Sequence, residues 1–536
     1  MIAKLLRGLF VFAACVFCVA AKAQQPVQDT SKKQINIIRA EKLSNLKKDS
    51  TELLSLVGNT LVQQDNTLFY CDSAVLDKKA NMLEAFGHVH INDHDSVHTY
   101  SDYLRYTGKD KKAYLNGNVK LTDGKGTLTT PDLNYDLNTE TGVYTKGGKL
   151  VNGKTVLTSQ EGYYYGETRD VYFKKKVVLV DPDYNIKTDT LLYNTYSNIA
   201  TFIVPTTITA KGNRRILTSD GYYDLQNKKA YFGKRPDIQD GSTFLRANEV
   251  ANDDSTHFFE ARGNVVYRDT AQGVSILSNN LKSNTLTKSF LATQNPVMII
   301  KQDADSIFIA ADTLYSSKLS ILRTSRDVPV ITDSVLALNS TDSTKADSAN
   351  RYIEAYYHVR IFSDSLQAVC DSLFYSAQDS AFRLFKKPIA WAQSSQITGD
   401  TIYLYTGDKK PKRMYVFENA LTINKVGDNY YNQVKGRTIN AYFKDGNIDH
   451  MRAKGNAESV YYTQDELKKF ISVNKVNADI IDMYFEDKKP NRIALRSSVT
   501  GTAYPMNQID HDELKLRGFK WQEALRPKTK YELFGQ

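Results

Sequence analysis

Half of the eight histidines sit in one short run, Gly87 to His98 (GHVHINDHDSVH). Imidazoles two residues apart on a strand can hold a transition metal. That makes His88 and His90 the candidates for a metal site, with Asp93, His94 and Asp95 in the turn that follows. The simpler reading is a polar outer strand face entering a hairpin, and no other stretch repeats the pattern. No metal or other cofactor is expected. Other catalytic signatures are missing: the sequence has no HExxH, no GxxxxGK[ST], no GxSxG and, past residue 23, no CxxC. Aspartates and glutamates fall mostly in turns and at strand starts, where solvated carboxylates belong. Paired-acid catalysis has no support, and the chain is not expected to be an enzyme.

Residues 1–23 read as an export signal. Lys4 and Arg7 precede an apolar run from Leu9 to Ala20, and Ala21-Lys22-Ala23 is a small-x-small cleavage site. Lipid attachment at Cys15 is an alternative, although Phe12 stands where a leucine is usual. The other cysteines past the leader are Cys71 and Cys370, each followed by Asp-Ser. They occupy one place in two copies of a repeat. At ~4.8 Å per strand they are roughly 100 Å apart in a straight array, beyond disulfide reach. They are expected to be small buried apolar residues. The formal charge of +10 over 536 residues suits an anionic partner, and suits lysine-rich solvated turns better. No nucleic-acid partner is indicated.

The elements that carry these residues follow from a repeat. In Tyr100–Asp123, Asp102, Leu104 and Tyr106 alternate with Tyr103 and Arg105, the period of a half-buried strand. Gly108–Lys112 is a polar turn, Gly117-Asn118 permits a sharp bend, and Val119 and Leu121 resume the alternation. The first apolar residue after the bend recurs as Val89, Val119, Leu150, Val177, Ile208, Ile238, Val265, Val297, Val330, Val359, Ile389 and Leu421. The strand before it recurs as Asp-x-Leu-x-Tyr at Asp102, Asp189 and Asp371. A fixed period means an array in which each unit buries its apolar face against its neighbours. The reading is all-β: an elongated repetitive antiparallel β jelly roll or V-shaped β trough of about 13–14 stacked units of ~30 residues. The expected segments are a signal peptide (1–23), a flexible lead (24–34), the β trough (35–331), a loop or hinge insert (332–350), continued trough with longer units (351–505), and a C-terminal cap and tail (506–536).

Stacked in register, the apolar faces merge into a strip. The candidates to line it are Leu104, Tyr106, Val119, Leu121, Leu133, Tyr135, Val177, Leu179, Leu191, Tyr193, Val265, Val297, Leu373, Tyr375, Ile389 and Leu421, together with Ile299, Trp391 and Ile423. Two readings fit: a groove that holds acyl chains, or an ordinary sandwich core ~10 Å thick. Periodicity alone also leaves open which face points inward.

Several stretches resemble the OstA/LptA family. They are Ala85–Ile91 (AFGHVHI), Tyr114–Leu121 (YLNGNVKL), Leu128–Tyr135 (LTTPDLNY), Gly162–Tyr165 (GYYY), Ile186–Tyr193 (IKTDTLLY) and Tyr70–Ala74 (YCDSA), the last being typical of the long OstA-like branch. The likeness is firmest over residues 35–210. It implies a β trough, free in the periplasm or tied there to the outer membrane, carrying lipopolysaccharide acyl chains toward the outer membrane. It also implies that edge strands join other transport proteins by β-augmentation. The alternative is a structural or adhesive cell-surface β-solenoid with no lipid ligand.

Overall fold

The computed structural model describes residues 34–48, 51–93, 95–301, 306–328, 350–407, 410–445, 447–487 and 489–534. The expected signal peptide, nearly all of the 24–34 lead and nearly all of the 332–350 insert lie outside the described residues, as does His94. The described chain is all-β and antiparallel. Among the described residues no helix is long and apolar enough to cross a membrane. The chain divides into two compact units, Met1–Lys146 and Gly147–Gln536.

In the first unit β1 (Asn36–Arg39) and β2 (Lys42–Lys48) pair with the two halves of β3 (Thr51–Gln64). Hairpin neighbours follow: β4 (Thr67–Asp77), β5 (Met82–Asp93), β6 (Val97–Thr107), β7 (Lys112–Thr122), β8 (Gly126–Asp136) and β9 (Thr141–Tyr144). Each long strand is creased near its middle. In β3, β5 and β7 the crease is a pair of consecutive left-handed residues, Gly58/Asn59, Gly87/His88 and Gly117/Asn118. The ladder slips there, so that two residues face one, as in a β-bulge.

The facing residue is the aspartate of the sequence repeat. A Cβ on Gly87 would meet Asp72 Oδ2, and one on Gly117 would meet Asp102 Oδ2, so glycine is required for the close approach as well as for its φ. The aspartate then bonds the second crease residue. Asp72 Oδ2 lies 2.8 Å from His88 Nδ1, and Asn118 Nδ2 donates to Asp102 Oδ2 at 2.8 Å. The residue before the aspartate is small because the two half-strands converge on it. Ser101 turns its hydroxyl back to the Tyr103 carbonyl, and Cys71 fills the equivalent place. Both Cys71 and Cys370 are free and buried, and burial pushes each thiol up to about 12.

The second unit repeats the device. Creases fall at Lys175/Lys176, Gly263/Asn264, Tyr357/His358, Glu418/Asn419 and Gly455/Asn456. Several of these lack glycine, although a left-handed non-glycine costs about 1–2 kcal/mol. The ladder on either side holds them there. Acid–base contacts again bridge the crease: Lys175–Glu161 at 2.5 Å, His358–Asp312 at 2.9 Å and Lys386–Asp371 at 2.8 Å. From Lys410 to Glu486 the strands lengthen to 14–18 residues.

Two segments cover outer faces of this unit. A short helix, α1 (Leu319–Leu322), and Val328 pack on Tyr352 and Phe374. The C-terminal stretch, with 3-10 turns at Glu523–Leu525 and Lys530–Leu533, lays Leu514 and Leu516 on Leu421, Ile423 and Val460, and Leu533 on Val297 and Ala310.

Candidate functional site

The creased strands form two leaves whose inner faces meet. In the first unit one leaf presents Val62, Phe69, Ile91, Thr99, Leu121 and Leu128 as a single cross-strand row. The other presents Leu56, Ala74, Ala85, Leu104, Leu115 and Leu133, with Tyr106 and Tyr135 one pleat further from the crease. All of these are at most 3% exposed. Val119 stands beside the crease on the first leaf, 1% exposed.

The leaves touch at the side away from the crease. The Phe69 and Tyr106 rings lie 4.6 Å apart. The Tyr106 hydroxyl donates to Gln64 Oε1 at 2.6 Å, and Gln64 Nε2 donates to the Gly108 carbonyl at 2.9 Å. Burial raises the Tyr106 pKa above its ordinary value, with Asp65 and Asp93 adding to it. A cleft of ≈ 520 Å³ in this unit opens on the opposite, outer face, among Arg105, Tyr114, Asn134 and Val143.

In the second unit the inner row runs Leu157, Leu179, Ile186, Ile208, Ile216 and Ile238. It continues through Leu245, Tyr267, Ile276, Met298, Ile309 and Ile361, then Ala368, Ala390, Ile397 and Thr422. Val177, Val265, Leu191 and Tyr193 share this interior, each at most 1% exposed. Burial pushes Tyr193 up to about 12. Leu373 is 2% exposed, while Tyr375 beside it is half-buried and packs on Phe382.

Six expected lining residues do not face inward. Val297, Ile389 and Leu421 each lie one residue off the inner row, which takes Met298, Ala390 and Thr422 instead. A one-residue slip moves a side chain to the other face of a sheet. Val297 packs on Leu533, and Leu421 on Leu514 and Leu516. Ile299, Trp391 and Ile423 share their outer face. Sequence reasoning failed here because the C-terminal segment makes the outer face apolar too, so Val297–Ile300 (VMII) and Ile389–Ala392 (IAWA) lose the alternation that marks one wet side. The available signal was Pro296, Pro388 and Ala420, the residues that follow the left-handed pair and take the first inner place.

The histidine run separates into different contacts. His88 is exposed and held by Asp72, which raises its pKa. His90 lies between the rings of Tyr70 and Tyr100 at 5.3 and 4.5 Å, with Nε2 3.1 Å from His98 Nδ1. Burial lowers the His90 pKa, and His98 adds to it. Among the described residues no group of three or more His, Cys, Asp and Glu side chains is placed to hold a metal ion.

The sequence profile of the OstA-like protein family matches residues 32–189. No curated protein matches the chain. A solved structure that it resembles is LptH of Pseudomonas aeruginosa, described as the LptA-homologous periplasmic component of a conserved lipopolysaccharide transport device. The likeness is 17% identity over 20% of this chain and 83% of LptH, with a TM-score of 0.19. Over residues 32–189 the chain is thus similar to the OstA-like protein family.

Proposed function

We propose that the chain is a periplasmic carrier of lipopolysaccharide, holding acyl chains between its two leaves as part of a bridge to the outer membrane. The observation that carries the reading is the predominantly apolar inner row in each unit, exemplified by Leu179, Ile186, Ile208 and Ile216. The OstA-like match and the likeness to a periplasmic transport component agree with it. The interior is closed in this state, so carriage requires the leaves to part. In the first unit the leaves share β-strands at the crease and meet at the far side through side chains such as Tyr106 and Gln64. Parting them there leaves the backbone ladders intact. Each hydrogen bond lost costs about 0.5–1.5 kcal/mol, whereas acyl chains gain about 0.8 kcal/mol per buried methylene. A chain of about ten methylenes outweighs several such bonds. Free edges such as Thr500–Pro505 would join neighbouring transport proteins by strand addition. The residues take no role in catalysis under this reading.

The contact of Phe69 with Tyr106 favours a second reading, a rigid β spacer at the cell surface that binds no lipid. Photocrosslinkers at Leu104 and Leu191, with Leu421 as an outward control, separate the two when the product is blotted for lipopolysaccharide. The carrier reading expects adducts at the first two positions and none at Leu421. Absence of adducts at both inner positions in folded protein leaves the spacer.

A further inference from the structure

One place on the mouth of the second unit carries a set of charges that the apolar interior does not require. Tyr184 and Arg214 belong to the leaf formed by the Ile186, Ile208 and Ile216 half-strands. Asp254 and Lys228 end strands of the other leaf, Glu249–Asp253 and the hairpin before Lys229–Phe232. The Arg214 guanidinium donates to Asp254 Oδ1 and to the Tyr184 hydroxyl, both at 3.1 Å. The Tyr184 hydroxyl donates to Asp254 as well. Beside them Asp183 accepts from Lys211 on its own leaf and lies 3.2 Å from Lys228 across the mouth. The Tyr184 and Tyr223 rings meet across the leaves, 4.2 Å apart. Burial raises the pKa of Asp254, while the two lysines lower that of Asp183.

One feature points beyond a simple clasp. Arg214 keeps one donor, Nε, buried with no acceptor. A guanidinium with a spare donor, two ammonium groups and a tyrosine hydroxyl at the lip of an apolar slot match an anionic oxygen cluster attached to a hydrocarbon body. The carboxylates of Asp254 and Asp183 occupy the places such oxygens would take.

We propose that this cluster is an anion-operated gate: phosphate oxygens of an entering amphiphile displace Asp254 from Arg214 and Asp183 from Lys228, and the leaves part at that rung. The inference rests on the carrier reading above and adds the point and the chemistry of entry.

Opposite effects of two substitutions test it. Binding of bisphosphorylated lipid A, of the same lipid stripped of phosphate, and of inorganic phosphate is measured on the full chain and on Asp254→Asn, Arg214→Gln and Lys228→Gln. Asp254→Asn weakens the clasp and removes the competing charge, so phosphorylated lipid should bind more tightly. Arg214→Gln and Lys228→Gln also weaken the clasp but remove the receptor, so the same lipid should bind about tenfold more weakly, the loss of one charge-assisted hydrogen bond. Phosphate-free lipid should not distinguish Arg214→Gln from Asp254→Asn. Should Arg214→Gln and Asp254→Asn both tighten binding, the cluster is a clasp without an anion site and the proposal falls. It falls equally if inorganic phosphate alone fills the site and lipid does not compete. Lys228 is 54% exposed, so its variant keeps the test readable if Arg214→Gln does not fold. Binding of neither lipid to the unaltered chain sinks the carrier reading, whereas binding indifferent to all three residues sinks only the gate.

Discussion

Gly117 allows the crease to be tested by a single methyl group. Its φ is +77°, and a Cβ there would come within 2.6 Å of an Asp102 carboxylate oxygen and 3.0 Å of Asp102 Cβ. Gly124 has nearly the same φ, +80°, with nothing within 4 Å. Alanine at Gly124 therefore carries only the left-handed penalty, about 1–2 kcal/mol. Alanine at Gly117 adds the displacement of Asp102 and loss of its 2.8 Å bond from Asn118, a further 0.5–1.5 kcal/mol or so. The total is about 1.5–3.5 kcal/mol. A stacked array opens locally rather than all at once, so the assay is amide hydrogen exchange on peptides spanning Tyr103 to Leu121. With tenfold per 1.4 kcal/mol, Gly117→Ala should speed exchange about 10- to 300-fold and Gly124→Ala about 5- to 30-fold. Adding Asp102→Ala to Gly117→Ala should recover the steric part. Equal effects at the two glycines, or no recovery in the double variant, would refute the idea that Asp102 and Gly117 are fitted to each other.

Tyr106→Phe removes the buried 2.6 Å bond to Gln64 and should cost about 0.5–1.5 kcal/mol, the loss of one hydrogen bond. Faster exchange in both the Gln64–Tyr70 and Leu104–Gly108 peptides would register it, and exchange confined to one of them would contradict a bond between leaves. The thiols of Cys71 and Cys370, pushed by burial from 9.0 to about 12, should resist iodoacetamide at pH 8 until the chain unfolds. Because their folded pKa exceeds the unfolded one, the stability they contribute is present below pH 9 and declines as pH rises from about 9 toward 12. Alkaline unfolding of a Cys71→Ser, Cys370→Ser variant should accordingly begin at higher pH than that of the parent. Deleting residues 506–536 removes Trp521 and uncovers the face that carries Trp391, which is 0% exposed. Emission from the remaining tryptophan should shift to the red, and an unchanged spectrum would contradict the docking of the C-terminal segment there.

The repeat was legible because the crease writes itself into the chain. Gly-Asn supplies two left-handed residues, Asp supplies the carboxylate opposite, and a small residue before it lets the half-strands converge. The place shared by Cys71 and Cys370 has the same origin. Creases at Lys175/Lys176 and Tyr357/His358 carry no such mark, because their conformation is imposed by the ladders beside them. Inner faces were readable wherever the outer face was wet, as at Leu104 and Leu133. They were lost at Val297 and Leu421, where the C-terminal segment, distant in sequence, covers the other side, and at Ile389 on the same outer face. The contacts across the mouth, such as Gln64 with Tyr106 and Arg214 with Asp254, join residues 40–42 apart in sequence with no shared motif. Only the folded register brings them together.

The central claim is that the leaves part to take in acyl chains. Spin labels at Lys109 and Lys125, in a Cys71→Ser, Cys370→Ser background, mark the turns that end opposite leaves of the first unit, and pulsed dipolar spectroscopy reads the distance between them. Lipopolysaccharide should shift that distance to longer values while phosphate-buffered protein alone stays at one short distance. A distance that does not move when lipopolysaccharide is bound, or lipopolysaccharide that does not bind at all, would contradict the account.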